Sequence, residues 1–380
     1  MPISSKTILD SLPDPVIVLD DNRIVTDANK AALELMPADT LGRDLAHSFR
    51  HPAALEVVDA VLKGKPVLSD NEENTVEITY TDPLRRSFSL YVVQAMAENE
   101  SDGMRTVLFL RETTADKRAE QMRVDFVANV SHELRSPLSA LVGFIETIQN
   151  AAKDDPKAQE HFLEIMAREA GRMSRLIEDL LSLSSVEMSE HVRPRDPIQI
   201  QNIAKSVIES LSVRAAEKNL TINFHAPDSV PLITGDADQL IQIIQNLIDN
   251  AIKYGGQDST IDVKIENIKQ IPEIGGPGIV IAIQDYGEGI PEEKISRLTE
   301  RFYRIDKARS RSMGGTGLGL AIVKHIINRH RGSLLIESEL GQGSTFSIAL
   351  PLVGSIAESP DTGRADSASA RAIATESPTE

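Results

Sequence analysis

Residues 126–144 read FVANVSHELRSPLSALVGF, a helical pattern that holds one histidine and is interrupted by a proline five positions later. Met122, Phe126, Val130, Leu134, Leu138, Leu141, Ile145 and Ile148 recur at spacings of four and three, which makes a single apolar stripe along one helix. His132 is two residues from both Val130 and Leu134, roughly 200° around the helix from each, and so is expected to face water. An exposed helical histidine is ordinarily a neutral surface residue. A zinc site is disfavoured, since no second His or Cys stands three or four positions away. Pro137 alters that reading. It removes one helical hydrogen bond, crowds the carbonyl of Glu133 and costs about 3 kcal/mol. Such a defect beside an exposed histidine suggests a kink that is put to use, with a tolerated bundle kink as the bland alternative.

Outward from this stretch, a second stripe runs through Phe162, Met166, Ala170, Met173, Ile177 and Leu180, after a break at NAAKDDPKA. The two helices form an antiparallel hairpin. One hairpin cannot cover both stripes, so two are expected to pair as a four-helix bundle in a homodimer. Ahead of the hairpin, short β-like runs (PVIVLD, TVEITY, SFSLYVVQAM, RTVLFLRE) mix with helical stretches (DANKAALELM, PAALEVVDAVL), an α+β domain with an antiparallel sheet. Behind it, long helices (DADQLIQIIQNLIDNAIKY, GLGLAIVKHIINRHR) mix with strands (GIVIAIQD, SLLIESE, STFSIALPL) in a second α+β domain. The expected boundaries are 1–112, 113–190 and 191–353, followed by a Ser-, Ala-, Asp- and Pro-rich tail, 354–380, that is expected to be disordered.

Composition narrows the function. In 380 residues the formal charge is −17, Trp is absent and aromatics make up 4%, which argues against a nucleic-acid partner. Zero cysteines exclude disulfides, thiolate metal sites and cysteine nucleophiles, and fit a cytoplasmic setting. No stretch approaches 18 consecutive apolar residues, so no transmembrane segment is expected.

The last domain carries the chemistry. Asp285 opens DYGEGI directly after the strand GIVIAIQ, where a carboxylate acceptor could read an adenine amine, and Gly287 and Gly289 would let backbone approach a ligand. GGTGLGLAIVK, residues 314–324, is a glycine run opening into an apolar helix, an anion site for phosphates or else a flexible turn. It lacks the Lys-Ser/Thr ending of a Walker loop, and no strand feeds it as a dinucleotide fingerprint requires. In NLIDNAIKY, Asn246, Asn250, Lys253 and Tyr254 share one helix face, which suits Mg²⁺, phosphate and a purine ring. YRIDKARSRSM, 303–313, reads as a mobile loop able to cover a polyphosphate, or as an ordinary solvated loop.

Together these segments resemble the bacterial sensor histidine kinases of two-component systems. The H box is SHELRSPL, the N box NLIDNAIKY, the first G box DYGEG, the F box RFYR and the second G box GTGLGL, in the family's order across residues 114–353. The wording FVANVSHELRSPL is most like the phosphate-regulon sensor group, and the front domain resembles a PAS sensor domain. The resemblance implies a GHKL-type (Bergerat) α/β sandwich that binds ATP. Asp285 would lie on the adenine amine and Tyr254 near the ring, with Asn250 and Asn246 on Mg²⁺. Lys253 and the backbone of Gly315, Thr316, Gly317, Leu318 and Gly319 would hold the phosphates. It further implies that His132 is the phosphoacceptor, that Glu133 is its general base, and that the partner is a response-regulator receiver domain. Two departures stand out. Ser136 replaces the Thr or Asn usual in members that also dephosphorylate their partner, though its hydroxyl retains the capacity to orient a water. Many relatives have transmembrane helices ahead of this core and this sequence shows none, so its signal is expected to be read in the cytoplasm or through a partner protein. His47 and His51 could in principle ligate haem in the front domain. A non-kinase ATPase of the same nucleotide fold, and an adaptor with an inert nucleotide site, are the other two readings.

Overall fold

The computed structural model describes residues 5–37, 39–63, 75–80, 86–96, 104–306 and 314–353. The chain divides into two compact units, 1–130 and 131–380.

The first unit is built on a five-stranded antiparallel sheet. Its strands are β1 (Val16–Leu19), β2 (Val25–Ala28), β3 (Thr75–Tyr80), β4 (Arg86–Met96) and β5 (Met104–Glu112), in the order β2-β1-β5-β4-β3. The helices are α1 (Ser5–Ser11), α2 (Lys30–Leu35), α3 (Leu45–Ser48) and α4 (Pro52–Leu62). The antiparallel sheet expected from the sequence is present. One boundary differs: the helical reading of DANKAALELM gives way to strand through Ala28, and the helix begins at Lys30. Asn29 fixes that switch. Its buried side-chain oxygen accepts from the N–H of Val16 and of Ala32, so it caps the helix and ties it to the first strand at once. Leu19, Val25, Leu45, Phe49, Phe88, Leu90 and Leu108 fill the core at 0–1% exposure. His47 lies 3.1 Å from the guanidinium of Arg43, and His51 stands at the N-cap of α4. No group of three or more His, Cys, Asp or Glu among the described residues is placed to hold a metal ion.

The helix α5 runs from Thr114 to Gln149 and continues through Pro137, whose side is buried. After the break expected at NAAKDDPKA comes α6, Pro156–Ser189, N-capped by Asp155 on Lys157 and Ala158. Phe144 and Phe162 stack across the hairpin at 5.5 Å. None of the described helices is long and apolar enough to cross a membrane.

The rest of the second unit is a two-layer sandwich. Its sheet contains β7 (Thr221–His225), β9 (Thr260–Ile271), β10 (Gly276–Asp285), β11 (Ser333–Glu339) and β12 (Gly343–Pro351), in the order β11-β12-β10-β9-β7. All pairs are antiparallel except β7 with β9. Two short strands, β6 (Asp196–Ile198) and β8 (Ile233–Gly235), pair separately. The helical layer is α7 (Ile200–Ala216), α8 (Ala237–Tyr254) and α10 (Gly319–Arg329), with α9 (Glu292–Ile295) a single turn. Along β10 the buried row is Ile279, Ile281, Ile283 and then Asp285, the period of two that carries a carboxylate into the helix-facing side. In α8, Leu240, Ile243, Ile244, Leu247, Ile248, Ala251 and Ile252 are buried, a helical stripe that leaves the asparagine face free of the core.

One buried polar group joins two of these helices. His330, 1% exposed at the end of α10, accepts from the N–H of Asp236, the N-cap of α8, at 3.0 Å. Its other ring nitrogen therefore carries the proton and donates to the Ile326 carbonyl at 2.8 Å. Burial holds its pKa below the usual imidazole value. The unfolded chain takes up this proton near pH 6.5 and the folded chain resists it, so the contribution is complete above that pH and lost as pH falls. Urea unfolding is expected to lose up to about 1.4 kcal/mol per pH unit on this account below pH ~6.5. His330→Gln should show a shallower acid limb; an unchanged limb would remove His330 as its source.

Candidate active site

The side chains singled out in the second domain converge on one cavity of about 540 Å³. Its walls include Asn246, Asn250, Lys253 and Tyr254 from α8, Asp285 from the end of β10, Gly289, and Gly315, Thr316, Gly317 and Gly319 from the glycine run. Asp285 is 5% exposed, and its carboxyl accepts from the Gly287 N–H at 2.9 Å. Burial pushes its pKa up, and the backbone N–H groups of Gly287 and Ser344 pull the other way. Lys253 is half-buried, and burial lowers its pKa, so its charge is poorly hydrated and available to an anion. Tyr254 is 39% exposed at the end of α8.

The glycine run leads into α10 without a capping side chain from Leu318. Gly317 has φ +77°, and a Cβ there would meet the Phe302 backbone at 3.0 Å, so the run closes tightly on the RFYR segment. Leu318 puts its side chain wholly in the core, leaving only its backbone to a ligand. At Gly287 and Gly289 the missing Cβ also serves the fold itself, since a Cβ at either would lie 2.1 Å from a protein carbonyl, of Tyr254 and Glu339 respectively; of the two, Gly289 lines the cavity.

His132 is exposed and Glu133 half-buried, and neither lines the cavity. The Glu133 carboxylate is instead held by Arg172 of α6 at 2.7 Å and by Arg304 at 3.3 Å. Among the cavity residues that escaped the sequence reading are Arg175, Glu178 and Asp179, all from α6. Their spacing marks one helix face, but no periodicity tells which neighbour that face meets. Another face of α6, through Leu176, Leu183 and Val186, is buried, which was also not anticipated. The covering loop proposed at 303–313 is described only to Asp306; 307–313 lies outside the described residues, as does the tail 354–380.

An asparagine pair fits a hard divalent cation on chemical grounds. The Asn246 side-chain N–H₂ is directed to the Gly319 carbonyl at 3.5 Å, which leaves its amide oxygen for other partners. Asn250 makes no side-chain hydrogen bond to another described residue, so its amide oxygen is likewise uncommitted in the cavity wall.

Comparison with known proteins decides the family. Residues 5–63 match the PAS domain, 122–189 the His Kinase A (phospho-acceptor) domain, and 235–354 the histidine kinase-, DNA gyrase B-, and HSP90-like ATPase. The chain is 33% identical over 340 residues to the phosphate regulon sensor protein PhoR of Pseudomonas aeruginosa, covering 89% of this chain and 72% of that one. The chain belongs to the two-component sensor histidine kinases. Members phosphorylate a histidine of their own from ATP and pass the group to a response regulator, and this chain is such an ATP-dependent kinase of the PhoR type. It is also 37% identical over 252 residues to the sensor-like histidine kinase SenX3 of Mycolicibacterium smegmatis, over 66% of this kinase and 63% of the relative. Among solved structures it is similar to histidine kinase ThkA in complex with response regulator protein TrrA, at 21% identity and TM-score 0.49, over 92% of this kinase and 98% of that chain.

Proposed function

We propose that ATP occupies the cavity beside α8 and the glycine run and that the imidazole of His132 attacks its γ-phosphorus. The N–P bond forms as the bond to the β–γ bridging oxygen breaks, ADP leaves, and the proton on the far ring nitrogen passes to Glu133. The phosphoryl group then moves to an aspartate of a receiver domain. One observation carries this reading: an exposed histidine stands on the hairpin of the same compact unit that holds the nucleotide cavity.

In this assignment Asp285 accepts from the adenine amine, Tyr254 lies by the ring, and Lys253 with the amides of residues 315–319 binds phosphate oxygens. Mg²⁺ fits the amide oxygens of Asn246 and Asn250, where it would neutralise phosphate charge. Catalysis is then mainly positioning and charge stabilisation. Glu133 serves as proton acceptor only once its bonds to Arg172 and Arg304 loosen. We further assign the domains as 1–112, 113–190 and 191–353, the active form as a homodimer through the hairpin, and the site of action as the cytoplasm.

Incubation with ATP labelled in the γ-phosphate is expected to give a protein-bound label that is lost in acid and stable in base, as a phosphohistidine requires. A chaperone- or repair-type ATPase would release labelled phosphate without labelling itself, and an inert adaptor would do neither.

A further inference from the structure

Asp179 belongs to the hairpin helix α6, yet its carboxyl group lies in the wall of the nucleotide cavity. It accepts a hydrogen bond from the Thr316 hydroxyl at 2.6 Å. The same hydroxyl oxygen faces the N–H of Leu318 at 3.3 Å, an amide at the mouth of α10. The Thr316 carbonyl accepts from Arg304 at 2.6 Å, and that guanidinium also meets Glu133. Thr316 is thus held to the hairpin from both sides, by its hydroxyl directly and by its carbonyl through Arg304. Burial raises the Asp179 pKa, while the Thr316 bond and the nearby Lys253 charge oppose that rise.

A carboxylate in this position does part of what a phosphate would do there. It takes the hydroxyl donor of the glycine run and draws on the field of Lys253 and the helix N-terminus. A second anion entering the same partly enclosed space is repelled by the first. We infer that Asp179 competes with the nucleotide's polyphosphate for the glycine run and thereby sets the kinase's affinity for nucleotides according to their phosphate number. The inference rests on the reading of the cavity as the nucleotide site. It makes the hairpin part of that site, and it makes phosphate binding and the Asp179–Thr316 contact mutually opposed.

Asp179→Asn keeps an acceptor for Thr316 and removes the charge. Calorimetry on the full chain with a non-hydrolysable ATP analogue, ADP and adenosine reads the effect. The expected change in the Asn variant is about tenfold tighter binding of the ATP analogue, about threefold for ADP and none for adenosine, the pattern of one removed charge–charge repulsion. Asp179→Glu, which retains the charge, should bind the ATP analogue no better than the parent. Unchanged or weaker binding of the ATP analogue by the Asn variant overturns the inference, since the carboxylate would then be neutral or would assist phosphate or metal. Equal tightening for adenosine overturns it too, because shape and not charge would be responsible. A parent protein that binds none of the three overturns the nucleotide reading of the cavity itself.

Discussion

His132→Gln is expected to reduce incorporation of the γ-phosphoryl group to background while leaving nucleotide affinity at the parent value. The two halves of that result have separate structural causes. Glutamine has no nucleophilic ring nitrogen, so the covalent step has no acceptor and labelling should fall by at least about a thousandfold. Nucleotide affinity should hold because His132 is exposed on α5 and does not line the cavity, whose polar groups come from other elements. Calorimetry for binding and acid-labile label for transfer measure the two independently. Label persisting on another histidine, His161 of the hairpin for instance, would move the phosphoacceptor elsewhere.

Replacing Leu141 and Ile145 together with Glu is expected to convert a dimer into monomers. Within a single chain the hairpin leaves Leu138 at 54%, Val142 at 49%, Ile145 at 42%, Leu163 at 57% and Ile177 at 46% exposure. Each such side chain contributes about 1.5–3 kcal/mol when fully removed from water, so a second hairpin laid over this surface gains enough to hold the pair. Two carboxylates placed there would be buried without partners, which costs more than the surface can return. Light scattering on the full chain decides it. A monomeric parent protein would refute the four-helix bundle, and so would an undisturbed dimer of the double variant.

What the sequence disclosed and what it hid follow from the same cause. Periodicity states which residues share a face. It therefore placed Asn246, Asn250, Lys253 and Tyr254 together, put His132 towards solvent, and put Asp285 at the end of a strand, all as the structure has them. It does not state what a face meets. The face of α6 that carries Arg175, Glu178 and Asp179 reads as an ordinary charged helix surface until the glycine run is found against it. Glycine fared between the two. The need for a missing Cβ at Gly287 and Gly289 was legible, but not that a neighbouring carbonyl of the fold also demands it. In β9 the alternation Ile261, Val263, Ile265 was present in the sequence, though dispersed among charged residues that mask a strand.

The tie through His330 has a mechanical meaning. It fastens the first residue of α8's cap to the last turn of α10, whereas the asparagines and the glycine run stand towards the opposite ends of those two helices. At 1.5 Å per residue, Asn250 is about 20 Å from that pivot along α8, and Gly319 about 16 Å along α10. At the cavity end the two helices are joined through the long Asn246–Gly319 contact of 3.5 Å, so a change of about 5° between them would shift the cavity end by about 2 Å, enough to make or break a hydrogen bond to a phosphate.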